Sequence, residues 1–211
     1  MKKIRLFLVV AMVAVTTVAS AQLNLGVKGG MNMSNYYGDE LSDKNVKIGF
    51  NIGLAADYQF AYGHYIQSGL FFTTKGAKYS VEASNANAKI DYTVNPMYLQ
   101  LPIHYAYKLE VAPETRIVFH GGPYMAFGVG GKTKVKGNVG SISAERDGQK
   151  VFGDGIGQLK TFDAGLGLGV GAEFGAFLVD LGWDVGLTNL SNSDNGDIKN
   201  QNAYLSVGYR F

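Results

Sequence analysis

The sequence alternates apolar and polar residues over eight separate runs, and this two-residue period constrains the fold more than any other feature. In the clearest run, residues 162–174, Phe, Ala, Leu and Val fill every second position, while Gly, Asp163 and Glu173 fill the positions between them. Side chains of a β-strand point alternately to opposite faces of its sheet, whereas a helix repeats every 3.6 residues. The pattern therefore predicts an all-β chain. The eight predicted strands cover residues 23–33, 48–60, 65–79, 99–107, 116–129, 162–174, 177–187 and 203–211.

The connections between these runs alternate between short and long. The short ones are residues 60–64, 109–115 and 175–176, and the long polar ones are residues 34–47, 80–89, 131–160 and 191–200. Every second connection of an antiparallel meander lies at the same end, so all short turns fall at one rim and all long loops at the other. An even number of strands with this asymmetry is typical of a transmembrane barrel. We therefore predict an eight-stranded antiparallel up-and-down transmembrane β-barrel.

Side-chain size predicts which face of the barrel points inward. One face of the strands is bulky, with Phe, Leu, Ile, Val, Tyr and the single Trp, whereas the other is rich in Gly with Asn, Gln, Asp and Lys. The interior of an eight-stranded barrel is only wide enough for side chains to fill it. We therefore expect the small polar face inside and the bulky face against lipid. Aromatic residues near the strand ends predict interfacial girdles, with Tyr36, Phe72, Phe127 and Phe162 at the outer rim.

The first 21 residues have the pattern of a secretory signal peptide. Basic residues between Met1 and Arg5 precede an apolar run up to Val18, and Ala19-Ser20-Ala21 is a small-residue cleavage site. We therefore divide the chain into a signal peptide, residues 1–21, and one barrel domain, residues 22–211. The leader carries three of the 19 basic residues and none of the 17 acidic ones. The mature chain then has a net charge of −1, and it has no basic patch that would indicate nucleic acid as a partner.

Two absences narrow the class of protein further. After residue 21 there is no stretch of 18 consecutive apolar residues, so the sequence predicts no membrane-spanning helix. The chain has no Cys, so disulfides do not contribute to its stability. Short, half-apolar strands remain compatible with a membrane.

A glycine-rich string near the C-terminus resembles a nucleotide-binding motif. Residues 167–172, GLGVGA, satisfy the pattern G-x-G-x-x-A of a dinucleotide turn. Such a turn must open a helix, but the two-residue period continues through Leu187. The sequence therefore predicts a chance match. We expect these glycines to line the inner wall and to leave room for large inward side chains of neighbouring strands.

The predicted inner face carries charged residues of both signs and two of the three His residues. Buried charges are tolerated only when they are paired, so we interpret these residues as a structural network that fills the barrel. No catalytic, metal-binding or cofactor-binding residue is assigned, because three scattered His and no Cys make a poor ligand set and no Ser-His-acid spacing stands out. His104 and His120 lie on adjacent predicted strands, which leaves a catalytic pair open as an alternative. The predicted interior residues are Lys28, Asp57, Lys75, His104, Lys108, Arg116, His120, Asp163, Glu173, Asp180, Asp184 and Arg210.

The C-terminal strand and several internal segments resemble a known family. AYLSVGYRF, ending at Phe211, is similar to the assembly signal of outer-membrane β-barrel proteins. The segments GVKGGMNMSNY, YIQSGLFFTTKGAKY, YLQLPIHYAYKL and RIVFHGGPYMAFGVGGK resemble the PorT-like family of small outer-membrane barrels, often described as porin family proteins. The resemblance implies a location in the outer membrane of a Gram-negative bacterium. It also implies that the β-barrel assembly machinery recognises Tyr209 and Phe211.

Three functions follow as hypotheses. The first is a structural or surface-interaction protein that acts through long extracellular loops, with outer-membrane lipid, lipopolysaccharide and an unidentified surface ligand as partners and no cofactor. The second is a narrow porin-like pore, and the third is a lipid-modifying enzyme of the outer membrane.

Alternation inside residues 131–160 predicts a hairpin that extends beyond the bilayer, and the rest of that segment is expected to be a solvated loop. Its lysines, such as Lys132 and Lys134, suit lipopolysaccharide phosphates.

Overall fold

The computed structural model describes residues 23–38, 44–83, 88–139, 142–155, 157–192 and 196–211. The predicted signal peptide lies outside the described residues. Regular secondary structure in the described part is entirely β. That part contains no helix of the length and apolarity needed to cross a membrane.

Ten strands form one antiparallel sheet, and eight of them close into a ring. The ring runs β1, β2, β3, β5, β6, β8, β9, β10 and returns to β1 through the pairing of β1 with β10. The predicted eight-stranded antiparallel barrel is thereby confirmed. The strands are β1 Leu23–Tyr37, β2 Lys44–Ala61, β3 His64–Thr74, β4 Ala77–Ala83, β5 Ala88–Ala112, β6 Thr115–Val139, β7 Ile142–Lys150, β8 Phe162–Phe174, β9 Phe177–Gly186 and β10 Lys199–Arg210.

The two strands outside the ring extend it at the long-loop rim. The third predicted strand is interrupted at Lys75 and Gly76, and β4 continues it between β2 and β5. β7 pairs with the outer part of β6, which forms the predicted hairpin. β5 and β6 have 25 residues each, whereas about 10 residues span the bilayer. We call β4, β7 and the outer parts of β5 and β6, residues 88–96 and 131–139, the projecting sheet.

Both chain ends of the barrel and the three short turns share one rim. Leu23 begins β1 at this rim, and Phe211 donates its backbone N–H to the carbonyl of Leu25 at 2.9 Å. The turns lie at residues 62–63, 113–114 and 175–176. Outer-membrane barrels have short turns on the periplasmic side, so we refer to this rim as periplasmic and to the opposite rim as outer.

The wall of the barrel carries its apolar side chains outward. Leu168 on β8 is 59% exposed and Leu181 on β9 is 54% exposed, whereas Asp163 on the inner face is fully buried. A water-soluble barrel has the opposite arrangement. Bulky apolar side chains thus cover the outside of the barrel. The ring is closed, so each of its eight strands is paired on both sides, as the bilayer core requires.

Glycines on the inner face of β8 make room for inward side chains. A Cβ atom at Gly169 would lie 2.6 Å from the ring of His120, and one at Gly167 would lie 2.9 Å from Nε2 of His104. Both distances are shorter than a Cβ atom approaches a heavy atom in real structures, so a side chain at either position would displace the imidazole ring. β8 continues as a regular strand through this string, so the nucleotide-turn pattern is a chance match, as the sequence predicts.

The prediction that Tyr36 belongs to the outer aromatic girdle is wrong. Tyr36 is only 2% exposed, because the alternation of β1 continues past Met33 and turns Ser34 and Tyr36 inward. Phe127 and Phe162 lie on the outside as expected, with their ring centroids 5.2 Å apart.

Candidate functional site in the barrel interior

The outer end of the barrel is covered by two inward-folded segments, which we call the cap: residues 151–155 with 157–161, and residues 187–192. Val151, Leu159 and Leu190 are buried together with Tyr36 and Ala77. The backbone N–H of Lys160 donates to the carbonyl of Leu190 at 2.9 Å and so joins the two segments. The prediction of a solvated loop is therefore wrong for residues such as Val151 and Leu159, because their apolar side chains fill the barrel opening.

A layer of aromatic rings lies directly below the cap. Tyr98 on β5 and Tyr124 on β6 are buried, and the ring of Phe152 from the cap packs edge-on against Tyr98 at 5.3 Å. Lys75 is fully buried in this layer, with its Nζ 4.3 Å from the ring centroid of Tyr124 and 3.6 Å from Oδ2 of Asp163. Rings and a paired charge thus close the barrel at this level.

Asp163 is held by several hydrogen-bond donors. Thr188 Oγ1 donates to its Oδ1 at 3.1 Å, and Asn200 Nδ2 and Tyr124 Oη donate to its Oδ2 at 2.9 and 3.3 Å. A buried carboxylate with a nearby ammonium and this many donors is well compensated. The sequence placed Lys75 and Asp163 on the inner face, and the structure brings them together.

At the centre of the barrel, four predicted residues form one continuous chain of contacts. Lys28 on β1 pairs with Oδ2 of Asp180 on β9. Oδ1 of Asp180 lies 2.8 Å from Nε2 of His120, and Nδ1 of His120 lies 3.0 Å from Nδ1 of His104. The two imidazole rings stack with centroids 5.2 Å apart. The chain joins strands that are far apart in sequence across the barrel.

Near the periplasmic rim, charged side chains gather around Glu173. Lys108 on β5 contacts both Glu173 on β8 and Asp57 on β2. Arg210 donates to Oε2 of Glu173 at 2.9 Å, and a guanidinium nitrogen of Arg116 lies 3.6 Å from the same oxygen. Two carboxylates and three cations thus form a paired cluster, which we call the rim cluster.

Asp184 differs from the other predicted carboxylates. It is 2% exposed, and Nε2 of Gln100 donates to its Oδ2 at 2.9 Å. Among the described residues no Lys, Arg or His nitrogen lies within 4.0 Å of its carboxyl oxygens, in contrast to Asp57, Asp163, Glu173 and Asp180.

A polar chamber of about 100 Å³ occupies the periplasmic part of the interior. It runs from Arg210 and Asp57 at the rim to Gln100, Asp184 and Asn202 below the aromatic layer. The exposed fraction of interior side chains falls from the periplasmic rim towards the aromatic layer, from 34% for Arg116 through 19% for Lys28 to 0% for Lys75. The chamber is large enough for several water molecules and closed at its outer end.

The predicted interior residues do not include the uncharged polar side chains that also lie inside the barrel. Asn32 donates from Nδ2 to Thr73 Oγ1 at 2.7 Å and accepts from Asn51 at 2.7 Å, and Ser206 donates to Asn51 at 3.0 Å. These residues share the inward phase of the charged ones, so the alternation itself contained the signal that would have found them.

Chemically, the interior offers paired charges and hydrogen bonds. Within the described residues, no Ser, Thr or Tyr hydroxyl is hydrogen-bonded to His104 or His120. The same part of the chain contains no group of three or more His, Cys, Asp or Glu side chains that could hold a metal ion.

Comparison with models of protein families identifies one family. The family model described as outer membrane protein beta-barrel domain matches residues 18–192. Similar solved structures include Ail of Yersinia pestis, in complex with a heparin analogue, with 18% identity over 90% of this chain and 99% of that chain and a TM-score of 0.39. They also include OprG of Pseudomonas aeruginosa, with 12% identity over 89% of this chain and 95% of that chain and a TM-score of 0.43.

Neisserial surface protein A is similar to the same extent, with 10% identity over 89% of this chain and 97% of that chain and a TM-score of 0.42. The search of curated protein sequences gives no significant match. The family match spans most of the 211 residues and agrees with the closed, lipid-facing ring of strands. The chain therefore belongs to the outer membrane protein β-barrel family, whose place is the bacterial outer membrane.

Proposed function

We propose that this protein is a non-conducting outer-membrane barrel whose working surface is its outer rim. The observation that supports a closed barrel is the cap on the aromatic layer, where Phe152, Tyr98 and Tyr124 fill the cross-section. A solute that crossed the barrel would have to displace these rings together with the buried Lys75. Eight strands leave no spare width for a second path.

The outer rim offers a surface because the projecting sheet continues beyond the cap. Lys132, Lys134 and Lys136 are exposed at alternate positions of β6, whereas Thr133 and Val135 between them are less exposed. A row of ammonium groups outside the bilayer suits the phosphates of lipopolysaccharide or an anionic surface ligand. We assign surface binding to this sheet, with lipopolysaccharide as the proposed lipid partner.

Conductance in planar lipid bilayers tests the closed barrel. We expect no single-channel steps from the wild-type protein. A variant with Tyr98→Gly, Phe152→Gly and Leu159→Gly, which empties the aromatic layer and the cap, should produce steps. The matched control is Phe127→Gly, which removes a ring of similar size from the lipid-facing side. Reproducible steps from the wild-type protein would refute the proposal.

The polar chamber favours a narrow pore as the alternative function. It already occupies the periplasmic part of the barrel, and displacement of the cap together with Tyr98, Tyr124 and Lys75 would extend it towards the outer rim. The conductance experiment separates the two functions, because a pore requires steps from the wild-type protein.

A lipid-modifying enzyme receives less support from the geometry. The His pair contacts Asp180 and lines the inner chamber, whereas a lipid substrate approaches the outer wall. Activity on lipid A that disappears in folded His104→Ala and His120→Ala variants would establish the enzyme instead.

The same proposal includes export and assembly. We propose that residues 1–21 act as a signal peptide and that the β-barrel assembly machinery recognises Tyr209 and Phe211 in the C-terminal strand. Both side chains lie on the outside of the barrel, where a receptor can reach them before membrane insertion. We also propose that the protein belongs to the PorT-like branch of its family, on the segments quoted above.

A further inference from the structure

Asp184 on β9 is a buried carboxyl group that has no cation of the described residues within 4.0 Å. The nearby ammonium of Lys75 lies 3.6 Å from Asp163 and over the ring of Tyr124, so its charge already has partners. A buried carboxylate is tolerated when an opposite charge and hydrogen-bond donors accompany it. The described residues supply Asp184 with a donor, Nε2 of Gln100, but with no opposite charge.

Two amide oxygens next to Asp184 are buried acceptors without a donor among the described residues. Nε2 of Gln100 donates to Oδ2 of Asp184 at 2.9 Å, so Oε1 of the same amide is directed away from this carboxyl oxygen. Asn202 lies directly opposite Asp184 in the pairing of β9 with β10, and its Oδ1 is the second such acceptor. Gln100 is 9% exposed and Asn202 is 3% exposed, and both line the polar chamber. Buried acceptors without a donor are costly, so both oxygens favour a ligand that donates.

Nε2 of His104 is a third buried atom without a hydrogen-bond partner among the described residues. It lies on the same part of the wall as Asp184, because a Cβ atom at Gly167 would be 2.9 Å from this nitrogen and 2.7 Å from Oδ1 of Asp184. Nε2 of His120 donates to Asp180 at 2.8 Å, so Nδ1 of a neutral His120 accepts from Nδ1 of His104 at 3.0 Å. A neutral His104 then has no hydrogen on Nε2, and this atom is an acceptor as well.

We propose that the inner end of the chamber binds a small ammonium group, either the ammonium ion or the charged head of a small primary amine. The site consists of Asp184, Gln100, Asn202 and His104, which we call the acceptor cluster and which all line the chamber. An ammonium group brings the one positive charge that Asp184 lacks. Its N–H bonds donate to the acceptors of the cluster, and such charge-assisted hydrogen bonds are about twice as strong as neutral ones.

The composition of the acceptor cluster favours a monovalent ligand with N–H donors over other small ions. The single carboxylate of Asp184 balances one positive charge, whereas calcium and magnesium sites in proteins use several oxygen ligands and commonly more than one carboxylate. The imidazole nitrogen of His104 is a poor ligand for hard cations such as sodium, but it accepts hydrogen bonds well. An anion would meet the negative charge of Asp184.

The route to the acceptor cluster begins at the periplasmic rim, because the aromatic layer closes the chamber at its outer end. The chamber of about 100 Å³ is large enough for several water molecules, so an ammonium ion or a small amine fits. Cations along the route have carboxylate partners, Lys28 with Asp180 and Arg210 with Glu173, and therefore do not repel a positive ligand strongly. The site is independent of the surface function that we propose for the outer rim.

NMR titration of the full mature barrel in lipid nanodiscs tests the site, with methylammonium chloride as the ligand. The signals to follow are those of the side-chain amides of Gln100 and Asn202. Tetramethylammonium chloride is the matched control at equal ionic strength, because it has the same charge but no N–H donor. We expect methylammonium to shift both signals until the site is saturated, and tetramethylammonium to leave them unchanged.

Two results with the wild-type protein overturn the proposal. If methylammonium causes no saturable shift, the acceptors of the cluster are met by water alone. If sodium chloride causes the same saturable shifts as methylammonium, the site takes any small cation and the N–H donors have no part in recognition.

Variants locate the binding at the acceptor cluster. Asp184→Asn removes the charge at nearly constant size, and we expect the Kd for methylammonium to rise about thirtyfold or more. Asp57→Asn is the matched control, because it neutralises an interior carboxylate that is paired with Lys108, and it should bind like the wild-type protein. If Asp184→Asn does not fold, Asn202→Ala removes one acceptor without a change in charge and should raise the Kd about tenfold. Equal affinity in the wild-type protein and in a folded cluster variant would refute the assignment.

Discussion

At the scale of single residues, Glu173 is the most connected charge of the rim cluster. Its carboxylate faces Lys108, Arg116 and Arg210, whereas Asp57, with a side chain that is 14% exposed, is paired with a single cation of the described residues, Lys108. Removal of one partner from a buried ion pair costs about 3 kcal/mol or more, because it leaves buried charge uncompensated. The two carboxylates should therefore respond differently to neutralisation.

We expect Glu173→Gln to lower the free energy of unfolding by about 3 kcal/mol. Asp57→Asn neutralises the more exposed carboxylate of the same cluster and should cost less, about 1 kcal/mol. Urea unfolding in lipid vesicles measures both. Equal losses of unfolding free energy in the two variants would mean that the rim cluster is solvated throughout and that Glu173 contributes no more to stability than Asp57.

The inner position of each charged residue was predictable from the sequence, but its partner was not. Two-residue alternation assigns Lys28 and Asp180 to the inner face of their strands, yet the two residues are 152 positions apart in the chain. Their contact depends on the tilt of the strands and on the register of the closed ring. The same holds for His104 and Asp184, which both lie beside Gly167, where a Cβ atom would be within 3 Å of each.

At the scale of elements, the strands were predictable and the cap was not. Each barrel strand alternates apolar and polar residues over roughly ten positions, so one or two exceptions do not obscure the two-residue period. The cap places Val151, Phe152, Leu159 and Leu190 against the barrel, but these apolar residues stand singly or as one adjacent pair in polar segments without a two-residue period. Their burial depends on the opening that the finished barrel presents, and short-range patterns do not encode that opening.

The projecting sheet carries the prediction about surface binding. Each Lys near an anionic membrane surface contributes about 1 kcal/mol of attraction, so loss of three should weaken binding by tenfold or more. We expect the variant Lys132→Gln, Lys134→Gln, Lys136→Gln to be retained less on vesicles that contain lipopolysaccharide at low salt. The difference should shrink at high salt, because screening removes electrostatic attraction between exposed groups.

The matched control replaces the same three lysines by Arg, which keeps the charge at each position. This control should bind like the wild-type protein. If the Gln and Arg variants bind equally, the row of positive charge has no part in recognition, and the surface function would have to reside elsewhere on the outer rim.

At the scale of the whole molecule, the decisive property is that apolar side chains cover the outside of the barrel and polar side chains fill its interior. A water-soluble barrel has the reverse distribution. The chain has a single Trp, Trp183, on β9, and it is 47% exposed on the outer wall opposite Leu168 and Ala203 in the neighbouring strands. In a soluble barrel of the same sequence this ring would belong to the apolar core. In the membrane it touches the acyl chains of the lipids.

Fluorescence quenching can measure whether Trp183 contacts lipid or water. In vesicles of lipids with brominated acyl chains, we expect the fluorescence of Trp183 to be strongly quenched, because bromine quenches by contact and the ring faces the hydrocarbon. Iodide in the surrounding water should have little effect on the same emission. The opposite result, with efficient quenching by iodide and none by brominated chains, would place Trp183 in contact with water and would contradict a lipid-facing wall. Because the signal comes from one residue, either result applies to a known position in the barrel.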